Sequence, residues 1–426
     1  MTKKNKASSS RTPKILADSK FSPLSLKVVK SLKKSGYQAY LVGGCVRDLL
    51  VGIKAKDFDV STNATPEQVR KIFRSSRIIG KRFRLVHVFS RSELIEVSTF
   101  RADASKKQNN DGLVKDTDGK ILRDNVWGNL EEDCIRRDFS MNSLYFDPVE
   151  NVLHDFHNGM KHIQKKVIVS IGDPMLRFEE DPVRSLRAIR FSSKLNFKIS
   201  GDIKEAIYQK ASLLKNISNA RLFDEFCKIF LSQKASDNFE KLQSFGALKY
   251  LINTKNYPVD SFGLRFQQAA LVNTDNRLKA EQSVTPGFLL AALMWPRLID
   301  ETKEEGTLNL KKFFRSMDRI IREQQELTAI PRKFHGYIKD IWSLQLKLET
   351  RLGHQPYKIL NHPRFRAAYD FLLLREEAAM DGQGIGAWWT EFQKVNRPRK
   401  IETLQILRDS RKGPVEKKFG FLEELS

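Results

Sequence analysis

The sequence predicts an α+β chain, with an N-terminal α/β domain built on a small mixed sheet and all-α regions after it. Three observations predict it. Short β-rich runs alternate with helical runs up to about residue 160. Beyond that point the β signals fade and apolar residues recur with a helical period. The 75 Lys and Arg outnumber the 51 Asp and Glu, giving a net charge of +24 over 426 residues. That excess points to a polyanionic partner, nucleic acid before an acidic membrane surface.

Residues 1–20 are polar and basic and read as a disordered tail, without the apolar core of a secretory signal. YQAYLVGG (37–44) reads as a strand, CVRDLLV (45–51) as a short helix and KDFDVST (56–62) as a strand. TPEQVRKIF (65–73) carries Thr65 as N-cap, Pro66 at the first helical position and Gln68 three residues after the cap, a capping-box signature. FRLVHVFS (83–90) and LIEVSTFR (94–101) are β-like by their Val, Ile and Phe content. Residues 102–126 have few apolar anchors and read as a flexible loop. DPVRSLRAIRFSSKL, ARLFDEFCKIFL, NFEKLQSFGALKYLI, PGFLLAALMW, LKKFFRSMDRIIREQQEL and FRAAYDFLLLREEAA read as helices, and the charged end from 396 to 426 as a loose tail. The expected division is tail 1–20, α/β domain 21–160, helical neck 161–255, helical domain 256–395 and tail 396–426.

Cys45, Cys134 and Cys227 are far apart, odd in number and without a CxxC pair. They exclude a disulfide framework and a thiolate zinc site, and a reducing cytoplasm is the expected location. No apolar run reaches about 18 residues, so no spanning helix is expected.

The chemistry starts at Asp57 and Asp59. Two residues apart on a strand, they share a face. Two like charges that close repel unless a cation lies between them. Oxygen ligands of this kind suit Mg²⁺, which takes one or two carboxylates plus substrate phosphates, and two such ions serve phosphoryl transfer. Gly43 and Gly44 close the preceding strand and let the backbone approach a phosphate. Arg47, one turn into the next helix, is placed to meet phosphate or a base, while Asp48 suits a structural pair with an arginine. A third carboxylate comes from Asp138 in RRDFSMNSL or from Glu96 in LIEVSTFR, and both candidates stay open. The structural readings beside these are an exposed edge-strand pair, a positive-φ turn, a solvent-facing Glu96 and an ion pair of Asp138 with Arg136 or Arg137. His87 reads as a packed or hydrogen-bonded histidine.

Taken together, LVGGCVRDLL, KDFDVSTNATPEQV, RRDFSMNSLYF and EEDPVRSLRAIRF resemble the class II nucleotidyltransferases, the bacterial poly(A) polymerases and CCA-adding enzymes, from about residue 22 to 250. IIGKRFRLVHV (78–88), LNHPRFRAAYDFLLLRE (360–376) and WWTEFQ (388–393) resemble the poly(A) polymerase branch. Cys45 departs from it, standing where a third glycine is common. The resemblance implies a nucleotidyltransferase catalytic domain, a helical neck that recognises the nucleotide base and a helical RNA-binding region. It implies Asp57 and Asp59 as ligands of two Mg²⁺ and Asp138 as a further active-site carboxylate. Its EDxxR motif is Glu180, Asp181 and Arg184, whose Asp and Arg read the base edge; three residues apart, they are expected on one helix face. Arg187 and Arg190 follow on an overlapping face, for which a solvated basic face is the competing reading. Gly43, Gly44, Arg47, Arg137 and Arg187 are expected on the nucleotide, and Arg82, Arg101 and Arg190 on RNA.

The implied activity is template-independent addition of AMP from ATP to RNA 3′-OH ends with release of pyrophosphate, in RNA polyadenylation and turnover. The alternatives are a CCA-adding tRNA nucleotidyltransferase and a non-catalytic RNA-binding protein on the same scaffold. A cytoplasmic monomer without membrane insertion is the default expectation.

Overall fold

Eight strands form one mixed sheet in the first of two units, residues 1–207 and 208–426. The computed structural model describes residues 8–11, 13–17, 21–80, 84–91, 93–102, 113–115, 121–124, 126–253, 261–304, 307–351, 353–380 and 384–410. The strands are β1 (Ser8–Arg11), β2 (Ala39–Val42), β3 (Asp59–Thr62), β4 (Ser76–Ile79), β5 (Leu85–Phe89), β6 (Leu94–Thr99), β7 (Leu144–Asp147) and β8 (Val152–Asp155). Their order is β1-β8-β7-β2-β3-β6-β5-β4. Every pairing is antiparallel except β3 with β6.

Register separates two adjacent rows of the sheet by chemistry. Leu153, Phe146, Leu41, Val60, Val97 and Val86 stand opposite one another and are all buried. The next row, one residue along, reads Tyr145, Val42, Asp59, Glu96, His87 and Arg77. Successive strand residues face opposite sides, so the apolar row packs on one side while Asp59, Glu96, His87 and Arg77 face the other, where Val42 and Tyr145 are buried in a second cluster. A one-residue slip would bury Asp59 and Glu96 in the core. The helix Pro23–Lys34 lies against β2, β3 and β6 and buries Val28, Val29 and Leu32. The helix Pro66–Ile72 has both halves of the expected capping box, Thr65 and Gln68 each accepting from the other's backbone N–H.

Four expectations change. Residues Ser8–Arg11 pair with β8 and Lys14–Ala17 form a helical turn inside the expected disordered tail, of which residues 1–7, 12 and 18–20 lie outside the described residues. An edge strand is ordered through backbone pairing, to which polar composition gives no clue. Within the expected loop 102–126, Leu113–Lys115 and Ile121–Asp124 pair as a hairpin, while residues 103–112, 116–120 and 125 lie outside the described residues. Arg397–Ser410 is helical within the expected loose end, and residues 411–426 lie outside the described residues. The division after residue 207 falls inside the expected neck, so the helix Val183–Leu195 folds with the sheet.

The second unit is helical. One core gathers Leu344, Leu348, Phe365, Tyr369, Leu372, Trp389 and Phe392. The buried indoles of Trp342 and Trp389 donate to the carbonyls of Ala291 (3.0 Å) and Leu348 (2.9 Å). Among the described residues, no helix is long and apolar enough to cross a membrane.

Candidate active site

β2 and β3 pair so that Val42 stands opposite Asp59, and the chain then turns at Gly43 with φ +74°. A Cβ at Gly43 would lie 3.4 Å from Arg137 Nη1 and 4.0 Å from Asp59 Oδ2. Glycine is therefore needed for its backbone angle, and it lies within contact distance of a cation and a carboxylate. Beneath it Cys45 is buried, its thiol pushed up to about 12 by burial, and it donates weakly to the Val42 carbonyl. Glu96 is the register partner of Asp59 on β6. Its carboxylate lies 3.3 Å from His87 Nε2, so His87 is a hydrogen-bonded histidine as expected. The strand expected over 56–62 starts only at Asp59, so Asp57 precedes β3 by two residues and is exposed, while Phe58 and Val60 are buried; the alternation still sets Asp57 and Asp59 apart from the core.

Asp59 carries the strongest electrostatic signature here. Burial, then the negative charge of Glu96, then that of Asp57 raise its carboxyl to about 6, against the opposing pull of Arg137. The Arg137 guanidinium is itself held from behind. Its Nε donates to Tyr145 Oη (2.6 Å) and its Nη2 to Asp133 Oδ2 (3.3 Å). Asp133, from the helix Leu130–Arg136, also accepts from Tyr145 Oη (2.5 Å), Ser61 Oγ (3.3 Å) and the Arg101 backbone N–H (3.3 Å). Burial opposes the charge on Arg137, but Tyr145 and Asp133 more than offset it and raise its pKa. Sequence reasoning missed Asp133 and Tyr145. Their signal lay in a Tyr one residue past RRDFSMNSL and an acid four before Arg137, the i, i+4 spacing of a helical pair.

Asp138 points elsewhere. Its carboxylate accepts from Arg187 Nε (2.7 Å), Asn142 Nδ2 (2.9 Å) and the Phe139 backbone N–H (2.8 Å). Burial alone would raise its carboxyl, but the Arg187 charge and these donors overcome it and hold it at about 2. Its ion-pair partner is thus Arg187, not Arg136 or Arg137. Asn142 passes the network on, accepting from Arg47 Nη1 (2.6 Å), and Arg47 also binds Asp48 through Nε (2.9 Å) and Nη2 (2.6 Å). The expected phosphate-facing Arg47 is therefore buried and turned inward, because Asp48 and Asn142 already satisfy its fork. Phe191, which the sequence did not single out, gathers three guanidiniums over its ring: Arg190 at 4.5 Å, Arg47 at 4.7 Å and Arg187 at 5.2 Å.

The EDxxR stretch does not lie on one helix face. One helix, Pro174–Glu180, ends before Asp181, which is extended at φ −148°, and the next, Val183–Leu195, starts after Pro182. Proline restricts the residue before it to extended conformations and cannot continue a helix, so DP breaks the run. Asp181 Oδ1 accepts from the Val183 N–H (3.3 Å). Arg184 donates to the Arg136 carbonyl (3.2 Å) and to Glu180 (3.3 Å). Arg177, another residue missed, donates through one nitrogen to the carbonyls of Ile135, Arg136 and Arg137 (3.2, 2.8 and 2.9 Å). These hydrogen bonds tie the helix junction to the RRD segment. Arg82 lies outside the described residues.

The structure thus brings Gly43, Gly44, Asp57, Asp59, Glu96 and Arg137 to one place, and Arg47, Asp138, Arg187 and Arg190 to a second, hydrogen-bonded one. Among the described residues no three His, Cys, Asp or Glu side chains converge tightly enough to hold an ion unaided. The raised Asp59 carboxyl beside two further acids still fits a divalent cation with oxygen preference, which completes its shell with substrate phosphates.

Three family models match the chain: the poly A polymerase head domain over residues 39–169, a probable RNA and SrmB-binding site of polymerase A over 196–254, and the polymerase A arginine-rich C-terminus over 305–418. The poly(A) polymerase I of Salmonella typhi is 42% identical over 395 residues, covering 90% of this chain and 85% of the relative. The CCA-adding enzyme of Staphylococcus epidermidis is 31% identical over 370 residues, covering 84% and 86%. Among solved structures, the Thermotoga maritima CCA-adding enzyme complexed with tRNA covers 98% of both chains at a TM-score of 0.61 and 20% identity, a likeness of fold.

Proposed function

The chain belongs to the bacterial poly(A) polymerase family, related to the CCA-adding enzymes, and we propose that it extends RNA 3′ ends with AMP drawn from ATP, without a template. The 3′-hydroxyl gives up its proton to solvent as its oxygen bonds to the α-phosphorus of ATP, the bond from that phosphorus to the oxygen bridging to the β-phosphate breaks, and pyrophosphate leaves with the electron pair. The observation that carries this reading is the unbalanced row of Asp59 and Glu96 beside the Gly43 turn, faced by Arg137.

Asp57, Asp59 and Glu96 would hold Mg²⁺, which when bound supplies positive charge to the phosphate oxygens. The register of β3 and β6 favours Glu96 over Asp138 as the third carboxylate. The Gly43–Gly44 turn leaves room for the triphosphate against the backbone, and Arg137, fixed by Tyr145 and Asp133, pairs with its oxygens. Asp138 acts through Asn142 and Arg187 as a positioning residue. Asp181 and Arg184, set at the helix junction, read the adenine edge, an assignment supported by the family's EDxxR motif. Arg101 and Arg190 meet the RNA backbone. The N-terminal sheet unit is then the catalytic domain, and the helical remainder the neck and RNA-binding region.

The test is a tailing assay with Mg²⁺, a generic 3′-OH RNA, a tRNA lacking its CCA end and each nucleotide supplied separately. A long ladder with ATP alone on the generic RNA is the expected result. Addition of C, C and A to the tRNA followed by a stop would replace this reading with the CCA-adding one.

A further inference from the structure

We propose that Arg177 is a positioning residue for nucleotide selection, clamping the junction that bears Asp181 and Arg184 to the segment that bears Arg137. This deepens the adenylate-transfer reading and rests on it, with Asp181 and Arg184 on the base and Arg137 on the triphosphate. The hydrogen-bonding order of that pair leaves one choice open. Arg184 donates and Asp181 accepts. The Watson–Crick edges of adenine and cytosine both offer a ring-nitrogen acceptor beside an amino donor, while guanine and uracil offer a ring N–H beside a carbonyl. The pair by itself thus rejects guanine and uracil but accepts cytosine along with adenine. What separates those two is span: a purine sets its edge farther from the ribose, and so from the phosphates, than a pyrimidine does. A pocket that holds its base reader at a fixed distance from its phosphate reader measures that span.

Arg177 supplies such a tie. It lies in the helix Pro174–Glu180, 40 residues from Arg137 along the chain. Its Nη2 donates to the carbonyls of Ile135, Arg136 and Arg137 at 3.2, 2.8 and 2.9 Å. These close the helix Leu130–Arg136, where the last carbonyls lack partners within the helix and its negative pole favours a guanidinium. Its Nη1 donates to Glu180 Oε2 (2.7 Å). Its own carbonyl accepts from the Asp181 N–H (3.2 Å) and from Arg184 Nη1 (3.5 Å). Arg184 Nη2 shares the Arg136 carbonyl (3.2 Å). Arg177 thus bonds to the backbone of the phosphate-side arginine and to both members of the base-side pair. Its charge reaches Arg184 as well: after burial it is the next influence lowering that guanidinium's pKa, with Asp181 opposing it. Lysine is not equivalent here, because one ammonium lacks the planar fork that serves the carbonyls and Glu180 from two nitrogens.

The test measures Kd for ATP, CTP and GTP by calorimetry on the full chain with Mg²⁺ and without RNA. Arg177→Ala should lower the preference for ATP over CTP by about tenfold, the scale of a small misplacement in a selective site. The preference for ATP over GTP should hold, because it comes from the donor and acceptor order of Arg184 and Asp181. Arg177→Lys should lose part of the ATP-over-CTP preference with Tm close to wild type. In an Arg184→Ala background, Arg177→Ala should change that preference no further, since it acts through Arg184. An unchanged ATP-over-CTP ratio in both Arg177 variants would overturn the proposal, and if the Ala variant fails to fold, an unchanged ratio in Arg177→Lys does so alone. Equal losses against CTP and GTP with a lowered Tm would show a purely structural role. Wild-type protein that binds ATP and CTP alike would also overturn it. Wild-type protein that prefers ATP yet adds nothing to RNA would sink the tailing reading and leave these binding ratios to decide the role of Arg177.

Discussion

Asp59 and Asp138 are both partly or wholly buried acids in the same unit, yet burial ends differently for them. Asp59 has acids for neighbours and only Arg137 to oppose them, and its carboxyl rises to about 6. Asp138 has Arg187, Asn142 and a backbone N–H, and its carboxyl falls to about 2. Desolvation raises both, so the difference lies in the partners supplied. A carboxylate given its donors by the protein is finished as a structural element. One denied them is left for a partner the protein does not contain, and a divalent cation is that partner's chemistry.

The largest expected effect breaks this comparison by function. Asp59→Asn should reduce tailing by about a thousandfold or more, while Tm holds or rises, because an unfavourable buried charge is removed. A Tm that fell as far as in Asp138→Asn would end the distinction between the two sites. Mg²⁺ titrated into wild-type protein should raise its Tm, with little effect on Asp59→Asn.

Next comes stability. Asp138→Asn should cost about 2–3 kcal/mol at neutral pH, from the fall of its carboxyl from 3.8 to about 2 at about 1.4 kcal/mol per tenfold. The sign follows from the lowered folded-state value: the contribution is present above the unfolded carboxyl near 3.8 and is lost as pH falls through that value towards about 2. Denaturant melts from pH 7 to 2 on wild type and variant should converge at the acid end. Asp59 runs the other way. Its folded-state value is raised, so its ionisation opposes folding as pH climbs from about 4 through about 6. Asp59→Asn should therefore gain on wild type across that window, by about 1–2 kcal/mol once solvent screening is allowed for.

The sequence exposes most of what rests on local rules. The Thr65–Gln68 capping box, the glycine turn before the first helix of the site, and the strand bearing Asp59 follow from neighbours within four residues. The break at Asp181–Pro182 is equally local; reading the EDxxR motif as one helix overlooks it, although the proline alone argues against a continuous run. What stays hidden depends on distance along the chain. Arg187 lies 49 residues from Asp138, so adjacent arginines are the wrong place to look for its partner. Arg47 reads as a phosphate ligand until Asn142, 95 residues on, takes its fork. Pairing of β3 with β6 brings Glu96 to Asp59, and no period or propensity encodes which strands meet.

The smallest effect is the sharpest test of why Asp59 differs. After burial, Glu96 contributes more to its rise than Asp57 does, and Arg137 pulls the opposite way. Carboxyl-detected NMR titration in the absence of divalent ions should place the Asp59 midpoint near 6. Glu96→Gln should lower that midpoint, Asp57→Asn should lower it by less, and Arg137→Met should raise it. Burial is common to all three variants, so only the ordering reports the neighbouring charges. Both acids are exposed, but Glu96 stands in register with Asp59 on the next strand, whereas Asp57 precedes β3 and lies outside its paired register. If Asp57→Asn moved the midpoint more than Glu96→Gln, the row across β3 and β6 would not be the source of the signature. The third carboxylate of the site would then have to be sought among residues the register does not align.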